Sequence, residues 1–141
     1  MPKRVTPKEA AALLAEGWTY VDVRSVPEFE AGHPLGAANV PLLHATAGRM
    51  APNPDFQRVM EASFPKDAKL VIGCKAGSRS LQAASILEAS GFSNVVDMRG
   101  GWSGERDMFG RVACAGWADE GLPAGQKAEP GKCWEELAAK K

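Results

Sequence analysis

The chain has 141 residues, 45% of them apolar and 24% charged, with 17 Lys plus Arg against 17 Asp plus Glu. At roughly 100–200 residues per domain this is one domain with a short tail, large enough to fold without metal or disulfide staples. Zero net charge excludes a global field for nucleic acid or anionic lipid, so any anion chemistry must come from a local site.

The first helix opens at Thr6-Pro7-Lys8-Glu9. Thr6 suits the N-cap, Pro7 the first helical position, and Glu9 the acid of a capping box. Leu13 and Leu14 supply its apolar face, and Gly17 its stop, with Trp18 packing behind. Ala10 to Ala15 is the longest apolar run, bracketed by Glu9 and Glu16. It falls short of the about 20 residues that cross a membrane, and Glu9 interrupts any signal-peptide core. The chain therefore reads as cytoplasmic, with no membrane partner.

Thr19 to Val23 reads as a strand, β-branched and aromatic. Val26 to Glu30 forms a short helical turn, and Asn39-Val40 before Pro41 a weak strand. Residues 44 to 52 read as loop. Asn53-Pro54 repeats the cap-then-proline start, with Phe56, Val59 and Met60 as an apolar stripe. Lys69 to Gly73 is a buried strand. Ser80 to Ser90 is the clearest helix, with Leu81, Ala84 and Leu87 on one face and Ile86 beside them; Gly91-Phe92 ends it. Val95 to Met98 is a further strand, closed by Gly100-Gly101. Gln126 to Gly131 resembles a linker, and Trp134 to Lys140 a short terminal helix. Helices alternating with short strands of this type predict an α/β layered fold with a mostly parallel sheet, whose sites lie beyond the carboxyl ends of its strands.

The three cysteines, Cys74, Cys114 and Cys133, are odd in number and lack C-x-x-C spacing, which fits neither a disulfide framework nor a zinc site. Cys74 follows a strand and opens the turn Cys74-Lys75-Ala76-Gly77-Ser78-Arg79, which runs straight into a helix. Backbone N–H groups of such a loop can converge into an anion nest, and the helix adds its positive end. Lys75 and Arg79 add two cations, and Gly77 supplies a sharp turn. Together these favour thiolate over thiol at Cys74 and suit it to nucleophilic attack without a separate base. A cysteine after a strand can equally be a small buried hydrophobe; the cationic loop is what tips the reading toward chemistry.

Three segments, in order, resemble the rhodanese-like domains from about Val5 to Pro123. The first is Val21-Asp22-Val23-Arg24, then Glu28-Phe29, then Gly32-His33-Pro34-Leu35-Gly36-Ala37-Ala38-Asn39-Val40-Pro41. The second is the cysteine loop with Arg79 and Ser80. The third is Gly100-Gly101-Trp102, with Gly121-Leu122-Pro123 beyond. The resemblance implies a three-layer fold, a central mostly parallel sheet of about five strands flanked by helices. It implies a rhodanese-like domain over 1–124, interrupted by an insertion at about 103–116, and a C-terminal tail over 125–141.

It also implies a thiosulfate sulfurtransferase. Cys74 falls on the catalytic position, and Lys75, Ala76, Gly77, Ser78 and Arg79 on the loop that binds substrate and cradles a persulfide. Sulfane sulfur would pass from thiosulfate to a thiophilic acceptor, cyanide or a thiol, in ping-pong fashion, with no cofactor and no metal. A basic residue directly after the cysteine resembles thiosulfate-preferring members. Two alternatives stand beside this: a persulfide carrier fed by a partner protein, and an oxyanion enzyme of phosphatase or arsenate type. The latter uses a longer loop, C-x-x-x-x-x-R, whereas here four residues separate Cys74 from Arg79.

Asp22 and Arg24 are supporting candidates that would brace the cysteine loop; the plain alternative is an Arg24–Glu28 surface pair. His33 is expected to hydrogen-bond structurally, and His44 carries no signal. Cys114 and Cys133 read as incidental thiols, with acceptance of sulfur from Cys74 as the alternative. Trp102 and Trp117 read as packing residues. Family members carry a tryptophan soon after the double glycine, whereas here Trp102 to Gly116 separate Gly101 from Trp117. His33-Pro34-Leu35-Gly36 also departs from the usual H-I-P-G.

Overall fold

A computed structural model describes residues 2–46, 49–76 and 78–139. In chain order its elements are β1 (Lys3–Val5), α1 (Pro7–Ala15), β2 (Thr19–Asp22), α2 (Val26–Ala31), β3 (His33–Pro34), β4 (Ala38–Asn39), β5 (Leu43–Thr46), β6 (Arg49–Pro52) and α3 (Phe56–Ser63). There follow β7 (Lys69–Gly73), α4 (Ser78–Ala89), β8 (Asn94–Met98), β9 (Glu105–Arg106), β10 (Val112–Cys114), β11 (Ala124–Gly125) and α5 (Trp134–Ala138).

Helix boundaries follow local chemistry. The α1 capping box forms as expected: the Thr6 hydroxyl accepts from the Glu9 N–H at 3.2 Å, and the Glu9 carboxylate accepts from the Thr6 N–H at 2.9 Å. Helix α1 ends with Gly17 at φ 100°, its N–H bonding Leu14 O while Trp18 N–H bonds Leu13 O. Helix α4 ends in the same way at Gly91 and Phe92, bonding Glu88 O and Leu87 O. Both are Schellman closures, which need a left-handed residue where glycine carries no steric cost.

Five strands form a wholly parallel sheet in the order β1-β8-β7-β2-β4. Strands covered on both faces lose the in–out alternation of half-exposed ones, and the last four residues of β7 and of β8 are all buried. One core, with Val21, Val59, Met60, Ile72, Ala83, Ala84 and Leu87, lies on the face covered by α3 and α4. The other, with Val5, Ala10, Tyr20, Val71, Val96, Met98 and Trp117, lies on the α1 face. The result is the expected three-layer α/β fold. All five strands point one way, so their carboxyl ends meet at one edge.

Three local readings need correction. Residues 44 to 52 are not loop: β5 and β6 pair antiparallel from Leu43↔Pro52 to Thr46↔Arg49. Every residue of β6 is exposed, so backbone pairing makes this hairpin and no apolar alternation announces it. Asn53-Pro54 does not start a helix either. The Asn53 side chain accepts from Asp55 N–H at 2.9 Å and donates to Pro41 O at 2.8 Å, forming a turn, and Asp55 stands at the N-cap of α3. Helix α4 begins two residues earlier than expected, and its most buried residues are Ser80, Ala83, Ala84 and Leu87, with Leu81 half-buried.

The C-terminal residues pack back on the body. Asn39 N–H donates to Lys132 O, β11 pairs with β3, Trp134 meets His44 edge-on at 5.4 Å, and Leu137 is buried against the α3/α4 core. The 103–116 segment carries the β9–β10 hairpin, whose tip exposes Met108 and Phe109. Among the described residues no helix is long and apolar enough to cross a membrane.

Candidate active site

The site is built at the carboxyl edge of the sheet, where β7 ends at Gly73 and α4 begins at Ser78. Cys74 is the first residue off the strand and is 1% exposed. Its Sγ lies 3.4 Å from the Ser80 hydroxyl in the first turn of α4. Lys75, Ala76 and Ser78 are exposed around it and Arg79 is half-buried; Gly77, the remaining expected loop residue, lies outside the described residues.

Three distant segments hold this loop. From behind, the Tyr20 ring of β2 fills the space beside Gly73 so closely that a Cβ there would lie 1.7 Å from its hydroxyl oxygen. From the side, Trp102 N–H donates to Cys74 O at 2.7 Å and Ser103 N–H to Lys75 O at 2.8 Å. Gly101 makes that clamp possible. Its φ is 56°, and a Cβ on it would come 2.4 Å from Cys74 O. The double glycine thus has a physical purpose: the chain after β8 must approach the cysteine loop at backbone contact distance.

The third hold is electrostatic. Arg79 donates to both carboxylate oxygens of Glu28 on α2, at 2.8 and 2.9 Å. Burial raises the Glu28 carboxyl, but hydrogen bonds from Arg79 and Ser25 together with the Arg79 charge outweigh it and hold the group at about 2. Arg79 therefore acts as a loop anchor with its charge balanced. Lys75 remains at the exposed mouth.

Asp22 and Arg24 lie one strand over. Val23 N–H between them donates to Gly73 O. Arg24 does not pair with Glu28; it grips the buried Asp22 carboxylate, with its Nη2 at 2.6 Å, and donates to Gly32 O at 2.6 Å. Its guanidinium also lies over the Trp102 ring at 5.3 Å from the centroid. Asn39 donates to the carbonyls of both residues. The pair touches the cysteine loop through Trp102, whose N–H holds Cys74 O. His33 stacks on Phe29 at 3.7 Å and its Nδ1 bonds Phe29 O at 2.8 Å, a buried structural contact.

The remaining residues of interest sit apart. Cys114 is half-buried, its Sγ 3.7 Å from Arg99 O, and burial raises its thiol. Cys133 lies at the start of α5 with its Sγ 3.3 Å from Glu136. Trp117, beyond the long insertion, is buried against Tyr20 and returns to the double glycine: its N–H donates to Gly101 O, and its indole to Pro123 O. Among the described residues no group of acidic, histidine and cysteine side chains is arranged to hold a metal.

Sequence reasoning found the loop but not its partners. Glu28 and Gly100-Gly101-Trp102 stand in the family-like segments, but their contacts, across 51 positions for Glu28 and through backbone groups for Trp102 and Ser103, leave no local trace.

Comparison with known proteins agrees with this fold. The chain is 37% identical over 123 residues to thiosulfate sulfurtransferase 16, chloroplastic, of Arabidopsis thaliana, spanning 87% of this chain and 92% of that protein. It is 38% identical over 102 residues to senescence-associated protein DIN1 of Raphanus sativus, where the match covers 72% of this chain but only 56% of that protein. The crystal structure of Rv0390 from M. tuberculosis superposes with a TM-score of 0.74 at 25% identity, covering 89% of this chain and 98% of that one. The family model of the rhodanese-like domain matches residues 6–106, and the chain belongs to that family.

Proposed function

We propose that this protein is a sulfurtransferase that moves sulfane sulfur from thiosulfate to a thiophilic acceptor through a persulfide on Cys74. The observation that carries the reading is the position of Cys74 at the foot of α4, in a loop held from three sides; by sequence resemblance it stands where the family has its nucleophile. The similarity to a protein named thiosulfate sulfurtransferase supports the donor.

In the first half-reaction the Cys74 thiolate attacks the outer sulfur of thiosulfate. A sulfur–sulfur bond forms at Cys74 Sγ, the sulfur–sulfur bond of the donor breaks, and sulfite leaves with the electron pair. The persulfide carries its negative charge on the terminal sulfur, which loop N–H groups and the amino end of α4 stabilise as they would an oxyanion. In the second half-reaction cyanide or a thiolate attacks that terminal sulfur and Cys74 leaves as thiolate. Donor and acceptor use the enzyme in turn, so the kinetics are ping-pong. Lys75 steers the anionic donor to the loop mouth, while Arg79, tied to Glu28, holds the loop's shape. Asp22 and Arg24 support it through Trp102.

Intact-protein mass after brief exposure to excess thiosulfate tests this, with Cys74→Ser alongside. The expected result is a gain of one sulfur in the wild type, absent from the variant and discharged by cyanide. No gain, with Cys74 still open to alkylation, would overturn the small-donor reading.

A further inference from the structure

Among the described residues five large apolar side chains are exposed, and three of them lie on the β9–β10 hairpin: Met108 at 90%, Phe109 at 77% and Val112 at 52%. Residues 106 to 113 are exposed without exception. A Cβ added at Gly110 would meet nothing within 4 Å. The tip therefore projects into solvent.

The turn is nonetheless held by its own hydrogen bonds. Asp107 Oδ1 accepts from the N–H groups of Phe109 and Arg111 at 2.9 and 3.0 Å. Asp107 N–H donates to Arg111 O at 2.9 Å, and Gly110 N–H to Asp107 O at 3.0 Å. Arg106 Nη1 donates to Gly110 O at 3.1 Å, and Gly110 adopts a left-handed φ of 78°. An aspartate turn of this kind serves its neighbouring backbone groups internally. It can leave water without stranding those N–H donors.

Charge surrounds the apolar end. Arg106 and Arg111 flank Met108 and Phe109 in the chain, and the Arg111 guanidinium lies 6.0 Å from the Phe109 ring centroid. Among the described residues neither is tied to a carboxylate, unlike Arg4, Arg24 and Arg79. Glu105 is held by Arg99, so Asp107 is the acid left in the turn to oppose them. Arginine stems can lie along apolar surface while their heads stay in a polar layer.

We propose that this hairpin docks the protein on the surface of an anionic lipid bilayer. Met108 and Phe109 enter the boundary between headgroups and acyl chains, and Arg106 and Arg111 meet the lipid phosphates. Peripheral docking requires no spanning helix. Area and charge favour a bilayer over a protein. Two side chains of this size expose on the order of 300 Å², whereas a stable protein interface takes about 800 Å² from each partner. Tip-to-tip pairing with a second copy would set the arginines against each other. Ser103, whose N–H donates to Lys75 O, precedes Phe109 closely in the chain. At about 3.5 Å per residue, docking holds the Cys74 loop within about 20 Å of the bilayer. The inference is independent of the reaction at Cys74.

Flotation of the full chain with vesicles of phosphatidylcholine, with and without an equal share of phosphatidylglycerol, tests this. The wild type is expected to float with the anionic vesicles at least about tenfold more than with the neutral ones, and to be released by high salt. Phe109→Asp should lower the partition about tenfold or more, and Arg111→Gln about fivefold. Both positions are exposed, and circular dichroism of the variants checks that the fold is kept. Should Phe109→Asp fail to fold, Phe109→Trp carries the test: its added emission is expected to be quenched by lipid brominated in the acyl chains. No wild-type binding to anionic vesicles would leave the tip to a protein and overturns the proposal. A partition that Phe109→Asp leaves within about twofold, or added emission that brominated lipid does not quench, also overturns it. So does lipid-free self-association of the wild type that Phe109→Asp abolishes, which would give the tip to a second copy.

Discussion

Replacing Glu28 with Gln should destabilise the protein in a pH-dependent way that identifies its cause. A carboxyl held at about 2 against an ordinary 4.5 corresponds to roughly 3 kcal/mol of preference for the charged form in the fold. Arg79 and Glu28 retain 17% and 27% side-chain exposure, so solvent screening reduces that to about 2 kcal/mol. The glutamine still accepts one hydrogen bond from Arg79 but leaves its charge without a counterpart. Glu28 is depressed in the folded state, so its contribution is complete above 4.5 and is lost as pH falls through about 2. The wild type should therefore exceed E28Q by about 2 kcal/mol near neutrality, with less than half of that left at about pH 3. Urea unfolding of both proteins at the two pH values measures the difference directly. A gap under about 0.5 kcal/mol near neutrality, or one that does not shrink in acid, would refute the view that this pair anchors the loop.

Three further substitutions probe the surroundings of the site and the seating of the C-terminal helix. Arg24→Met leaves the Asp22 carboxylate, 1% exposed, without its partner and should cost about 3–5 kcal/mol, most of it recovered when Asp22 is also made apolar; chemical denaturation of the two singles and the double reads the coupling. Gly101→Ala places a Cβ 2.4 Å from Cys74 O at a φ of 56° and should lower stability by about 2–4 kcal/mol with loss of persulfide formation; a variant with wild-type melting and loading would show that the clamp is dispensable. Leu137→Ala removes a side chain 3% exposed in the core beneath α5 and should cost about 2–3 kcal/mol in urea unfolding, whereas a terminal helix that merely rests on the surface would give almost none.

What could be read without coordinates was whatever physics writes locally. Thr6, Pro7 and Glu9 encode a cap within four residues, and Gly17 and Gly91 each close a helix using the two or three carbonyls before them. The strand-to-helix turn at Cys74 is likewise contiguous. The β5–β6 hairpin was illegible because its strands bury little and pair by backbone, leaving no period to detect. Asn53 misled because an Asx turn and a helix cap draw on the same residue types. The long stretch between Gly101 and Trp117 looked like a break in the family pattern, yet Trp117 N–H returns to Gly101 O. Inserting a hairpin into a surface connection costs little when its ends stay together.

The charges around Cys74 also bear on how a chain of zero net charge would serve the anionic donor proposed above. Arg4, Arg24 and Arg79 stand near the carboxyl edge of the sheet, and each is met by a carboxylate, Asp97, Asp22 and Glu28 respectively. Arg24 and Arg79, buried and half-buried, would carry a heavy desolvation cost without such partners; Arg4 is exposed, and the pairing of all three holds elements in register and leaves little positive field. That leaves the selectivity of the loop to short-range features: the exposed Lys75, the backbone N–H groups, and the amino end of α4. The N–H groups and the helix end act over a few ångströms, whereas the charge of the exposed Lys75 is screened by salt. On the proposed function they suit stabilising charge on a single sulfur atom after it has arrived, more than drawing anions from a distance. On that reading these three arginines are committed to shape, and the sulfur's charge is left to the loop itself.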